Sequence, residues 1–222
     1  MALLSMDKLF RKRKFKSGNG NVKKKRTTYK KMAESAYMKD PNKIMKKMTG
    51  TGYTIDNSLS TSETKFFVNH DTRTVVISFR GTQIFSKKGV KDIISDLAIM
   101  TGTKKFNRRF KQAERQFKKA ERKYPGYKIN TTGHSLGGQL ATYLARTKGN
   151  KVTENVSFSR GSGFAEPFRR RPSQTADISH GGDLISLGAR LSRGKRGSSV
   201  VDSSFRWNPL AAHATKDLQV VS

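Results

Sequence analysis

The chain of 222 residues contains no cysteine, and only 16 of its residues are Asp or Glu. The absence of cysteine excludes disulfide scaffolds, thiol nucleophiles and Cys-ligated zinc or iron–sulfur sites. No apolar run approaches the ~18 residues that a membrane-spanning helix requires. At the N-terminus a short apolar patch precedes a basic run, which is the reverse of the order in a secretory signal. We therefore expect an intracellular location, in the cytoplasm or the nucleus.

Basic residues are in large excess, since 46 Lys and Arg against 16 acids give a formal net charge of +30. Basic runs surround a Gly/Asn-rich spacer within residues 11–26 and cannot bury enough apolar surface to fold. The sequence thus predicts a flexible, disordered basic arm over residues 1–26. The remainder, residues 27–222, is long enough for one folded domain at ~150 residues per domain.

This charge suits two kinds of anionic partner. An anionic membrane surface attracts each surface Lys or Arg by about 1 kcal/mol. The phosphates of nucleic acid attract the same residues without sequence preference, and residues 23–26 also match the loose pattern of a nuclear-import signal. A third interpretation is a merely solvated surface, and charge alone does not choose among the three.

Hydrophobic periodicity predicts alternating strands and helices. Apolar residues recur at helical spacing in residues 29–37, 91–100 and 106–124, and residues 65–79 have the pattern of a β-hairpin. Further strands are predicted at residues 127–131, 156–158 and 176–179, with a helix at residues 140–145. This order is typical of a mostly parallel sheet covered by helices, the α/β class.

One pentapeptide has the pattern of a reactive serine. Gly133-His134-Ser135-Leu136-Gly137 matches G-x-S-x-G, in which a strand reverses sharply into a helix and the serine stands at the bend. Side chains two positions before and after the serine would collide there, so both positions require glycine. The motif follows a predicted strand and precedes a predicted helix, so we interpret Ser135 as a catalytic nucleophile.

A serine hydroxyl needs a base, and the chain has only four His. His134 lies inside the bend, and we expect its side chain to point away from the reacting side. His70 precedes the serine, which does not fit the order serine, acid, histidine of this type of sheet. His180 and His213 remain, and His213 is favoured because it lies in a loop-like stretch near the C-terminus.

Three aspartates lie between Ser135 and His213. Asp183 is favoured as the acid because it follows a predicted strand, and functional loops gather at the carboxyl ends of strands in open α/β sheets. Asp177 falls inside that strand. Asp202 belongs to a Ser/Gly-rich stretch in which we predict no strand.

The negative oxygen of a tetrahedral intermediate needs hydrogen-bond donors. The residue after the nucleophile, Leu136, offers its backbone N–H, and a loop after an earlier strand supplies the second donor. We expect Thr82 in that loop to donate, with Gly81 allowing close approach of the backbone.

These motifs together resemble the class 3 (fungal-type) lipases of the α/β-hydrolase superfamily, over roughly residues 50–215. The resemblance rests on residues 76–82, 92–97, 133–138, 156–163 and 183–186 together with His213. It implies hydrolysis of acylglycerols or phospholipids through an acyl-enzyme, with no metal or organic cofactor. It assigns the nucleophile to Ser135, the base to His213, the acid to Asp183 and the oxyanion donors to Thr82 and Leu136.

The chain departs from the class 3 pattern in three respects. Any lid after Thr82 is small, the segment after Asp183 is rich in Arg, Gly and Ser, and the secretory signal that is common in the family is not recognised. The basic arm motivates an alternative function, a hydrolase fold reused as a basic nucleic-acid- or virion-associated binding protein with little catalysis.

Overall fold

The computed structural model describes residues 20–81, 104–160, 172–180 and 198–202. Its helices are α1 (Gly20–Ser35), α2 (Pro41–Met48), α3 (Lys104–Lys123) and α4 (Leu136–Lys148), with a 3₁₀ turn at Gly149–Lys151. Its strands are β1 (Thr54–Ile55), β2 (Thr64–Asn69), β3 (Thr74–Phe79), β4 (Lys128–His134), β5 (Val152–Phe158), β6 (Thr175–His180) and β7 (Ser198–Asp202). In these parts of the chain, no helix is long and apolar enough to cross a bilayer.

The strands form one seven-stranded sheet in the order β1 to β7. The first three strands pair antiparallel, and the predicted hairpin is the β2–β3 pair. From β3 to β7 every neighbouring pair is parallel. Each step to the next parallel strand requires a crossover connection, so the sheet is mostly parallel and the predicted α/β fold class is confirmed.

Helices α3 and α4 cover one face of the sheet. The apolar stripe predicted for residues 106–124 is the buried side of α3, where Ala113, Phe117 and Ala120 are almost fully inaccessible to solvent. They join one core cluster with side chains of β2 and β3, including Phe66 and Ile77. The stripe therefore serves packing, as an amphipathic helix on a sheet requires.

Helix α1 covers the opposite face. Tyr29, Met32 and Ala33 are buried there against Phe67 of β2 and Val76 of β3. The alternation of side chains along a strand explains why Phe66 and Phe67 belong to different cores. The N-terminal helix is thus part of the folded domain.

The expected boundary of the basic arm at residue 26 differs from the structure, because α1 begins at Gly20. Residues 20–26 form the first turns of a helix that is anchored further along by buried side chains. Lys25 also pairs with Glu154 of β5 at 2.8 Å, which holds this basic segment on the domain. The rest of the predicted arm, residues 1–19, lies outside the described residues.

A second difference concerns Asp202. We predicted no strand before it, but β7 ends at Asp202 and pairs in parallel with β6, where Asp202 is the register partner of His180. The strand exists because β6 offers a neighbouring edge for hydrogen bonding, which local composition does not reveal. The reason for disfavouring Asp202 as the acid is therefore wrong.

A buried ion pair joins the chain just after β5 to the middle of β6. Arg160, two residues beyond β5, is 2% exposed, and its Nε and Nη2 atoms each lie 3.0 Å from a carboxylate oxygen of Asp177. Asp177 lies within β6, as predicted, and is 4% exposed. Because a buried charge that loses its partner is strongly unfavourable, this pair fixes the chain next to the carboxyl ends of the strands.

We predict that Asp177→Asn lowers the free energy of unfolding by about 3–5 kcal/mol, since it removes the negative charge that faces the buried Arg160 guanidinium. Urea denaturation measures this. The control is Glu121→Gln at the exposed pair with Lys151, where the change should be below about 1 kcal/mol. Equal effects of the two substitutions would show that the buried pair has no special role.

Candidate active site

Ser135 stands at the junction of β4 and α4. β4 ends at His134, α4 begins at Leu136, and the backbone of Ser135 between them has φ 57° and ψ −124°. A positive φ of this kind costs a non-glycine residue about 1–3 kcal/mol and persists only where the surroundings enforce it. The sharp strand-to-helix bend predicted for the motif is therefore present.

Close backbone contacts explain why the motif has glycine at both positions. A side chain on Gly133 would overlap the backbone of Gly137. A side chain on Gly137 would overlap the carbonyl oxygen of Phe79 at the end of β3. Any larger residue at either position would push α4 away from the sheet and release the bend at Ser135.

Leu136 is the first residue of α4 and is fully buried. The first backbone N–H groups of a helix have no partner within the helix and lie at its positive end, which favours a negative ligand. This position agrees with the predicted role of the Leu136 N–H as an oxyanion donor, and that role stays a prediction.

The end of β3 lies directly beside the serine. Phe79 is the register partner of Gly133, and a Cβ on Gly81 would lie 3.3 Å from the Cβ of Ser135. The loop that we expected to supply the second oxyanion donor therefore starts next to Ser135. Thr82 itself lies just outside the described residues.

Two side chains that the sequence did not single out hold the start of this loop. The guanidinium of Arg109 in α3 donates from Nη2 to the carbonyl oxygen of Arg80 at 2.6 Å. The hydroxyl of Tyr37, just after α1, accepts from the N–H of Gly81 at 3.1 Å. Burial raises the pKa of Tyr37 to about 12 and lowers the pKa of Arg109.

Sequence reasoning missed both residues. Tyr37 only continues the helical spacing of apolar residues, and Arg109 is one of 46 basic residues. The spacing of α1 alone gives no sign that its end reaches a loop more than forty positions away.

The two histidines excluded from the base role have other partners. His134 Nδ1 lies 3.1 Å from the Tyr37 hydroxyl. His70 Nδ1 lies 2.9 Å from the Tyr127 hydroxyl. This contact is close to the first residues of β3 and β4. His70 therefore lies at the opposite end of the strands from Ser135.

The predicted acid and base, Asp183 and His213, lie outside the described residues. The structure does place the backbones of His180 and Asp202 side by side at the carboxyl ends of β6 and β7. Ser135 also lies at the carboxyl ends of the strands. His180 and His213 as bases, and Asp183 and Asp202 as acids, therefore all need a direct test. No group of three His, Asp or Glu side chains suited to a metal ion occurs among the residues that the structure describes.

Solved structures with a similar fold are fungal lipases. Lip2 lipase from Yarrowia lipolytica aligns with 87% of this chain and 82% of its own, at 17% identity and a TM-score of 0.52. Lipase II from Rhizopus niveus aligns with 91% of this chain and 89% of its own, at 17% identity and a TM-score of 0.58. At this identity the likeness shows the fold, and a sequence search of curated proteins found no match.

The family of this chain is assigned from its match to a sequence model of that family, not from these solved structures. The model of the phospholipase-like family, described as a Tle-like phospholipase domain, matches residues 23–182 and therefore more than half of the chain. The match includes α1 from Lys23 onward, the strand-to-helix bend at Ser135 and the buried pair of Arg160 and Asp177. The resemblance to fungal-type lipases is confirmed, and the protein belongs to the phospholipase-like family with a Tle-like phospholipase domain, a hydrolase family of the lipase and phospholipase type.

Proposed function

We propose that the protein is a serine-dependent carboxylic ester hydrolase that acts on acylglycerols or phospholipids through an acyl-enzyme. The observation that carries the proposal is the backbone of Ser135, held at φ 57° between a strand and a helix with Gly81 beside it. A strained serine directly before the first backbone N–H groups of a helix suits nucleophilic attack on an ester carbonyl.

In the proposed mechanism the Ser135 hydroxyl attacks the carbonyl carbon, and its proton passes to His213, which Asp183 orients. The N–H groups of Leu136 and Thr82 stabilise the negative oxygen. Collapse of the intermediate breaks the ester bond, and His213 returns the proton to the departing alcohol. Water, deprotonated by His213, then attacks the acyl-enzyme, which releases the fatty acid and restores Ser135.

The nucleophile is tested by covalent labelling. We predict that a fluorophosphonate forms one adduct on the wild-type chain, and that Ser135→Ala abolishes both the adduct and turnover of phospholipids, acylglycerols and short p-nitrophenyl esters. Ser173→Ala, in an exposed turn before β6, is the matched control and should label normally. Undiminished labelling of Ser135→Ala would refute the assignment.

The base and acid are tested by comparing paired variants. We predict that His213→Ala and Asp183→Asn each lower kcat by at least about 10³-fold, because removing a member of a catalytic triad typically costs this much. His180→Ala and Asp202→Asn should retain most of the activity. If the second pair loses activity and the first pair does not, the triad is built from the ends of β6 and β7.

We also propose an anionic membrane surface as the partner of the basic charge, through a surface that we name the lysine face of α1. It consists of Lys23, Lys24 and Lys31, which line a shallow depression of about 340 Å³ with the turn at Gly50 and Thr51. Among the described residues these three lysines form no ion pair, whereas the neighbouring Lys25 and Lys30 do. Such uncompensated cations favour a surface with many negative groups.

The lysine face is tested with vesicles. Changing Lys23, Lys24 and Lys31 together to Gln should lower binding to phosphatidylserine-containing vesicles by roughly 100-fold, from about 1 kcal/mol per lysine. Turnover of a soluble ester should not change. The control removes three exposed lysines of α3 instead, Lys111, Lys118 and Lys119.

Equal losses for the two triple variants would refute a specific role of this face. Strongly salt-dependent binding to single-stranded nucleic acid, without binding to vesicles and without ester turnover by the intact chain, would favour the alternative function of a nucleic-acid-binding protein.

A further inference from the structure

The peptide group between Arg80 and Gly81 is held at both of its polar atoms by side chains. Its carbonyl oxygen accepts from Arg109 at 2.6 Å, and its N–H donates to the Tyr37 hydroxyl at 3.1 Å. A peptide group is planar, so two bonds at opposite ends of the plane leave it little freedom to rotate. The N–H of Thr82 belongs to the next peptide group and is separated from this plane only by the φ and ψ of Gly81.

The two side chains approach from opposite layers of the fold. Tyr37 follows α1, which packs on one face of the sheet through Tyr29 and Met32. Arg109 belongs to α3, which packs on the other face. The Arg80–Gly81 peptide is therefore tied to both helical layers at the point where β3 leaves the sheet.

The surroundings of Tyr37 supply the remaining bonds of its hydroxyl. Its oxygen lies 3.1 Å from His134 Nδ1 and 3.4 Å from the carbonyl oxygen of His134, in the residue before the nucleophile. Because burial raises the pKa of this phenol to about 12, the hydroxyl keeps its proton at neutral pH. It can donate that proton to His134 while it accepts the bond from Gly81, which connects the loop after β3 with the bend at Ser135.

Arg109 is held in place as well. Its Nη1 lies 3.6 Å from a carboxylate oxygen of Glu63, and its side chain is 15% exposed. Gly81 leaves the space that the arrangement needs, since a Cβ there would lie 2.5 Å from the Tyr37 hydroxyl and 2.6 Å from the carbonyl oxygen of His134. The Arg80–Gly81 peptide, Tyr37, Arg109 and His134 thus bring four segments of the chain together.

We propose that Tyr37 and Arg109 are positioning residues that together fix the plane of the Arg80–Gly81 peptide and thereby the point at which the loop expected to carry the second oxyanion donor leaves β3. This inference rests on the proposed serine-hydrolase function. Neither side chain needs to touch the substrate. Their loss affects the transition state, in which the oxyanion forms, more than the ground-state complex.

Steady-state kinetics on a soluble ester test the proposal. Tyr37→Phe and Arg109→Met should each lower kcat by about tenfold and change KM by less than about twofold, because they disturb an interaction made only in the transition state. The double variant should lose much less than the product of the two effects, since both side chains hold one peptide group. Arg109→Lys, which retains a donor, should recover part of the loss.

Matched controls separate positioning from general damage. Tyr143→Phe removes a tyrosine hydroxyl that bonds to Glu114 between α3 and α4, and Arg115→Met removes an exposed arginine from α3. Both should keep the wild-type kcat. Hydrogen exchange of the Gly81 amide provides a readout that needs no activity, and Tyr37→Phe should accelerate it by at least tenfold.

The outcomes separate this inference from the proposed function. If the wild type turns over ester and Tyr37→Phe and Arg109→Met keep kcat within twofold, the positioning role is wrong. A loss that appears in KM alone would make them substrate-binding residues and would also overturn it. If the wild type neither hydrolyses ester nor reacts with a fluorophosphonate, the proposed function fails and the oxyanion role fails with it, whatever the exchange of the Gly81 amide shows.

Discussion

The backbone of Ser135 is forced into an unfavourable conformation because α4 starts immediately where β4 ends. Helix and strand can approach so closely only because Gly133 and Gly137 lack side chains. The same closeness brings the start of α4 and the end of β3 next to Ser135. The rest of the sheet, with helices on both faces, supplies the rigid frame that keeps this strained residue in place.

Helix α1 belongs both to the core and to the surroundings of the site. Tyr29 bonds to Asn130, close to the start of β4, whereas Tyr37 reaches Gly81 beyond the end of β3. The helix therefore runs in the same direction as the parallel strands. Its lysine-rich beginning lies roughly 20 Å from its end at the site, at 1.5 Å per residue. One helix thus presents exposed lysines at one end and contacts the site at the other.

Local patterns sufficed to predict the hairpin, the buried stripe of α3 and the bend at Ser135. Each depends on spacing within a short segment, such as the two glycines around the serine or the recurrence that includes Phe117. The helical state of residues 20–26, the strand β7 and the contacts of Tyr37 and Arg109 could not be predicted in this way. They depend on partners distant in sequence, such as Glu154 for Lys25 and β6 for β7.

Because Arg160 and Asp177 are buried, their ion pair responds to added salt differently from the exposed charges. Dissolved ions screen exposed charges beyond about 8 Å at physiological ionic strength but hardly reach a pair shielded from solvent. Under the proposed binding to an anionic membrane, added salt should therefore weaken the attraction of the exposed lysines for the membrane while the ion pair between Arg160 and Asp177 persists. A rise in ionic strength should then release the protein reversibly without disturbing its fold.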